Sequence, residues 1–158
     1  MSRAEPEDLV FFQIALKRFA IPSVVVHEVL PMLEPTSVPG WPAHALGLID
    51  VRGVLIPLLD VSRVLGQPER ALSAEQYVLL MEAFRRPFGI VVDSVEGVRS
   101  SVLPEGEGIP SAEFLGTPLV CRGVVMEPDG PVVLLDSDGL VQSLGIPLLP
   151  SPQEGDQT

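Results

Sequence analysis

Positive charge is scarce in this chain. Ten Lys and Arg stand against twenty-one Asp and Glu, a formal charge of −11. An acidic surface of that size gives no electrostatic reason to bind nucleic acid or an anionic membrane. Cysteine is nearly missing. Cys121 stands alone, which rules out an internal disulfide and any cysteine-rich metal site and fits a reducing cytosol. Histidine is limited to His27 and His44, and neither H-x-x-x-H nor H-E-x-x-H spacing occurs. No G-x-G-x-x-G or P-loop is present, and Ser62, Ser94 and Ser143 lack a G-x-S-x-G setting. The start, MSRAEPEDLV, has no apolar signal core, and no run reaches the roughly 18 apolar residues of a membrane span. A soluble, cytoplasmic protein without metal or cofactor is the expectation. Aromatics are only 5%, so the interior has to be built from Val, Leu and Ile.

Those residues are plentiful. Hydrophobic side chains make up 46% of the 158 residues, beside seventeen Pro and fourteen Gly. Branched residues favour strands, and Pro and Gly favour turns, so the class is mainly β. The organising stretch is Gly47–Gly66, GLIDVRGVLIPLLDVSRVLG. It reads as a strand, a turn at Arg52-Gly53, a strand over Val54–Leu59, and a short helix from Asp60 to Leu65 ended by Gly66.

Around it, Leu9–Leu16 is a strand that Lys17-Arg18 turns back into Phe19–Ile21. Over Ser23–Leu30, the spacing of Val26, Val29 and Leu30 predicts a helical turn with Ser23 as cap, although Val24–Val26 also suits a strand. Pro31, Pro35, Pro39 and Pro42 make a loop, with Trp41 anchoring it on the core. Ala43–Leu46 is read as one helical turn. Further strands are expected at Tyr77–Ala83, Phe88–Asp93, Val95–Arg99, Leu119–Met126 and Val132–Leu135. The turns between them fall at Arg85-Arg86-Pro87 and Pro128-Asp129-Gly130. Residues 100–118 read as irregular, and Asp136–Leu144 as a closing helix. Met1–Asp8 and Ser151–Thr158 read as flexible tails.

A duplication runs through this order. Arg18-Phe19-Ala20-Ile21 returns as Arg86-Pro87-Phe88-Gly89-Ile90 with one inserted proline. Val26 and Val29 return as Val95 and Val98. Arg52-Gly53, Leu58-Leu59-Asp60 and Leu65-Gly66 return as Arg122-Gly123, Leu134-Leu135-Asp136 and Leu144-Gly145. Two related subdomains follow, about 9–66 and 77–145, each with about five short strands, as in a small closed barrel, with the chain ends crossing between them.

Few residues suggest chemistry. His27 beside Glu28 reads better as a surface or partner-facing histidine than as a catalytic pair. Cys121, in LVCRGVVM, reads as a small buried side chain. Asp60 and Asp136 precede short helices at matching places and read as N-caps. Arg52 admits two readings: a guanidinium fixed by Glu28 or Asp50, or one aimed at a partner. Arg122 is its sequence counterpart. Val24-Val25-Val26 cannot all point inward, so at least one faces solvent or a partner.

The chain resembles the CheW-like chemotaxis adaptor family and the regulatory domain of the kinase CheA. FAIPSVVVHEVL at Phe19–Leu30, SVPGWPAHALGLIDVRGVLIPLLDV at Ser37–Val61, GIVVDSVEGV at Gly89–Val98 and LVCRGVV…PVVLLDSDGLV between Leu119 and Val141 carry the resemblance. Asp50 stands where the family usually has Asn. The resemblance implies a single domain over 9–145 made of two SH3-like five-stranded barrels. It implies a non-enzymatic adaptor that joins the cytoplasmic tip of a chemoreceptor to a CheA-type histidine kinase. Carried over by position, Val26, Glu28, Gly47 and Arg52 fall on the receptor surface, and Val38, Leu46 and Leu55 on the kinase surface. An adaptor of a non-flagellar chemosensory pathway is the alternative within the family. From another class, the alternative is a small β-barrel ligand-binding protein or enzyme using His27, Glu28 and Arg52.

Overall fold

The structure is a computed structural model and describes residues 6–63, 71–102 and 121–144. Ten strands dominate it. They are β1 (Pro6–Ile14), β2 (Lys17–Pro22), β3 (Val26–Pro31), β4 (Ala45–Val51) and β5 (Val54–Leu59), then β6 (Tyr77–Ala83), β7 (Arg86–Val92), β8 (Ser94–Val102), β9 (Cys121–Glu127) and β10 (Gly130–Leu135). A helix, α1 (Ser137–Leu144), follows β10, and short 3-10 turns lie at Ser23–Val25 and Val61–Arg63. No helix among the described residues is long and apolar enough to cross a membrane.

The strands form two five-stranded sheets. Sheet A has the order β8-β1-β2-β10-β9 and sheet B the order β3-β6-β7-β5-β4. Each sheet therefore draws on both halves of the chain. The β1–β2 hairpin pairs with strands of the second half, and the β6–β7 hairpin with strands of the first. No pairing of outer strands closes either sheet into a barrel among the described residues.

The long apolar runs follow from this layering. Most inner strands are buried on both faces, as strands covered on two sides must be. In β1, Val10, Phe12 and Ile14 face a central core between the sheets, while Leu9 and Phe11 face a separate core inside sheet A. In β6, Leu79 and Met81 face the central core, and Val78 and Leu80 face one inside sheet B. The Phe12 and Phe19 rings stack at 5.9 Å in the central core. Helix α1 adds Leu140, Val141 and Leu144 to it, and Trp41 packs against its edge.

Register sharpens the duplication and corrects two parts of it. Leu58 pairs with Gly89 in sheet B, and Leu134 with Ala20 in sheet A. Lys17–Ile21 thus matches Arg86–Ile90 with no inserted proline. Residues 47–60 match 123–136, also without a gap, since both hairpins have two-residue turns. Arg52 then corresponds to Pro128, not Arg122. The second Arg-Gly pair lies inside β9, where Gly123 matches Gly47 and Arg122 matches Leu46. The two residues 46 and 122 are the bulged positions of their strands.

Other expectations shift locally. The first hairpin turns at Ala15-Leu16 and the third at Phe84-Arg85, all four with positive φ, one residue or two before the expected turns. Right-handed strand twist favours such turns in two-residue loops even without glycine. The helix expected over Ser23–Leu30 is a single 3-10 turn followed by strand β3. Val26 and Val29 sit there because β6 offers an open edge to pair with; tertiary pairing overrides the helical spacing. Ala43–Leu46 is not a helical turn, since β4 begins at Ala45. Residues 6–8 begin β1, and 100–102 end β8. The remainder of the expected tails, the rest of 100–118 and the Gly66 and Gly145 stops lie outside the described residues.

Both aspartate caps are present. Asp60 Oδ1 accepts the Ser62 N–H at 3.0 Å, and Asp136 Oδ2 accepts the Gly139 N–H at 3.0 Å. They hold the starts of the 3-10 turn and of α1.

Candidate functional surface

Sheet B carries the candidate site, and its curl assembles it. β3 and β4 are the two ends of the strand order. Two contacts nevertheless join their ends of the sheet. Thr36, in the loop after β3, exchanges both backbone hydrogen bonds with Leu48 of β4 at 2.8 Å. Arg52, in the β4–β5 turn, donates to both carboxylate oxygens of Glu28 in β3.

Local sequence sets the turn. Arg52 and Gly53 both have positive φ, 51° and 86°, as a two-residue hairpin of this twist demands. Asp50 Oδ1 accepts the Gly53 N–H at 2.8 Å. Asp50 thus shapes the turn and Glu28 takes the guanidinium. The hydrogen bonds and charge of Glu28 raise the Arg52 pKa above its ordinary value, so Arg52 is cationic at every physiological pH. Its side chain is still 69% exposed. The two readings of Arg52 are compatible: it is fixed by a carboxylate and it faces outward.

Val26 is half-buried beside the central core. Gly47 is buried, and a Cβ there would lie 2.1 Å from the Thr36 carbonyl oxygen. It acts through its backbone by letting the Thr36 segment cross. The second candidate set lies on β4, on its neighbour β5 and in the loop that follows Thr36. Leu46 is partly buried against the sheet B core, and the antiparallel sense of the Thr36–Leu48 bridge carries Val38 toward it. Leu55 is 54% exposed and pairs with Asp50, about 13 Å along β4 from Leu46 at strand spacing. Among the valines in a row, Val24 is the outward one, at 76% exposure.

His27 is the bulged residue of β3. Its Nε2 lies 3.1 Å from Glu82 Oε1. His27 and Arg52 line an open depression of about 450 Å³ at the end of the sheet B core, but Glu28 does not. Leu80, Val54, Arg85 and Pro87 also line it. Sequence reading missed these four. Their shared location follows from hairpin register, which no local motif encodes. His44 is tied elsewhere, with Nε2 2.9 Å from the Leu144 carbonyl oxygen. Among the described residues no cluster of His, Cys, Asp and Glu is placed to hold a metal ion. The Cys121 side chain lies outside the described residues.

The counterpart end of sheet A is polar and closed. Arg18 donates to both oxygens of Glu96, at 2.8 and 3.1 Å, and to Glu127 at 3.3 Å. Arg99 donates to Glu127 at 2.7 Å and lies 3.9 Å above the Phe11 ring. The Arg18 bonds hold the Glu96 carboxyl below its ordinary pKa despite partial burial, and Gln13 and Arg99 add to the effect.

Two five-stranded sheets, a surface ion pair and an open depression with apolar walls make up the site. The family model described as the CheW-like domain matches residues 8–145; the chain belongs to that family. The chemotaxis protein CheW of Bacillus subtilis (strain 168) is 24% identical over 135 residues, covering 85% of this chain and 86% of that protein. Protein FrzA of Myxococcus xanthus is 30% identical over 119 residues, covering 75% and 69%. A probable chemotaxis protein CheW of Rhizobium etli is 28% identical over 91 residues; the match spans 58% of this chain and 59% of that protein. The crystal structure of the scaffolding protein TtCheW from Thermoanaerobacter tengcongensis superposes with a TM-score of 0.79 at 23% identity, over 92% of this chain and all of that one. That likeness supports the two-sheet fold.

Proposed function

We propose that the chain is a non-enzymatic adaptor that couples chemoreceptors to a CheA-type histidine kinase in a bacterial chemosensory array. The observation that carries this reading, beside family membership, is the outward Arg52 guanidinium held by Glu28 at the rim of an open apolar surface. A fixed cation sets orientation, and apolar side chains around it accept the stripe of a receptor helix. Val26, Glu28 and Arg52 form the receptor face, with Gly47 placing β4 beneath it. Val38, Leu46 and Leu55 form the kinase face, taking the CheA regulatory domain. Each contact is modest, and many copies in an array supply the strength. The adaptor works in the cytoplasm, recruited to arrays by its partners.

In the same reading each sheet is an SH3-like barrel. Glu28–Arg52 in sheet B and Arg99–Glu127 in sheet A link opposite ends of each strand order, as a sheet curled nearly to closure allows. Likeness to FrzA fits a second form of the proposal, an adaptor of a pathway controlling surface motility or gene expression. A catalytic reading needs His27, Glu28 and Arg52 converging in a deep pocket. Glu28 instead turns to Arg52 and does not line the depression, which is open.

The test is a sedimentation assay with the purified chain, the receptor cytoplasmic fragment and the kinase regulatory domain from the source genome. The chain should pellet with receptor assemblies and bring the kinase domain with it. Failure to bind either partner at micromolar concentration overturns the proposal.

A further inference from the structure

The two sheets are copies of one unit, and their equivalent ends differ in a consistent way. In sheet A the chain fills its own end. Phe11 supplies a ring, Arg99 lies over it, and Arg18 reaches Glu96 and Glu127. Register gives the counterparts in sheet B. Leu80 matches Phe11, Pro87 matches Arg18, Leu30 matches Arg99 and Val51 matches Glu127. Glu96 matches His27, which pairs with Glu82; the other four filling groups are replaced by smaller or uncharged ones. The result is the depression of about 450 Å³, with Val51, Ile56, Leu80 and Pro87 among its apolar walls.

Its rim is cationic on a chain whose net charge is −11. His27 is engaged by Glu82 and Arg52 by Glu28. Arg85, exposed in the β6–β7 turn, makes no ion pair among the described residues. A depression floored by buried Val51, Ile56 and Leu80, with Val54 and Pro87 partly exposed on its sides and Arg85 at its rim, matches a ligand that brings both an apolar group and an anion. The depression is open on one side rather than enclosed.

We propose that this end of sheet B is a socket for a receptor helix, which inserts one bulky apolar side chain over Leu80 and Pro87 and sets a neighbouring carboxylate on Arg85. The socket adjoins Arg52, so one helix engages both. The proposal rests on the adaptor reading and extends its receptor face to residues of the second half of the chain.

Two variants of the full chain test it, against the receptor cytoplasmic fragment and the kinase regulatory domain in parallel. Leu80→Phe restores the ring of sheet A and fills the socket. Arg85→Glu reverses the rim charge on an exposed turn and decides the matter if the larger ring unfolds the chain. Receptor affinity should fall at least tenfold in Arg85→Glu, and in Leu80→Phe where it folds, with kinase binding and melting temperature kept. Unchanged receptor affinity in Arg85→Glu, or loss of kinase binding instead, overturns the socket while leaving the adaptor reading intact. Wild-type protein that binds neither partner overturns both.

Discussion

At the scale of single residues, position in the curl decides what a side chain does. Arg52 is exposed, and its pair with Glu28 is of the solvent-screened kind that adds little to stability. Arg52→Ala should therefore leave the melting temperature nearly unchanged while weakening receptor co-sedimentation. A large drop in melting temperature with intact receptor binding would make Arg52 structural instead. Leu55 is exposed on the face it shares with Asp50. Leu55→Asp should reduce kinase-domain pull-down and spare the receptor; equal loss of both partners would point to unfolding. Gly47 is the opposite case. Any side chain there meets the Thr36 backbone, and its φ of 141° is one that L-residues rarely adopt. Gly47→Ala should cost about 1–3 kcal/mol in denaturant titration, the range of overpacking. The opening of the Thr36–Leu48 bridge should appear as fast amide exchange at both residues.

At the scale of elements, the ion pairs at the end of sheet A tie β2, β8 and β9 together. Glu96 has a folded pKa below its ordinary value, and Arg18 stays protonated throughout because its pKa is raised. A carboxyl lowered in the folded state stabilises the fold above its unfolded pKa and loses that contribution as pH falls through the folded one. Stability should thus decline below about pH 4, near the ordinary carboxylate value. Glu96→Gln should flatten that acid limb and cost roughly 1–2 kcal/mol at neutral pH, allowing for the solvent that reaches the pair. An unchanged acid limb in the variant would assign the decline to other carboxylates. The strands themselves were legible as apolar runs, and β6 falls where the sequence places it, Tyr77–Ala83. β3 was misjudged because its spacing suits a helix equally well. An edge strand is specified by its partner, and β6 lies about 50 residues away.

At the scale of the whole molecule, the exchange of hairpins between sheets makes the halves interdependent. Sheet B without β6 and β7 is left with β3 cut off from the β5–β4 pair, and sheet A without β1 and β2 with β8 cut off from the β10–β9 pair. Chains covering residues 1–66 and 77–158 should each lack a cooperative unfolding transition when expressed alone, and regain one when mixed in equal amounts. Independent cooperative folding of either would contradict this dependence. The sequence alone determined the mainly β class, the duplication, the aspartate caps, the Arg52-Gly53 turn and the family, because each is written in local composition or in the order of short motifs. Tertiary structure decided which hairpin joins which sheet, and that Arg52 corresponds to Pro128 and not to Arg122. It also decided which groups meet at the equivalent ends of the two sheets, the Arg18, Arg99, Glu96 and Glu127 cluster in one and the depression beside Arg52 in the other. Those outcomes depend on pairing between segments far apart in the chain, where register, not residue type, fixes what each side chain meets.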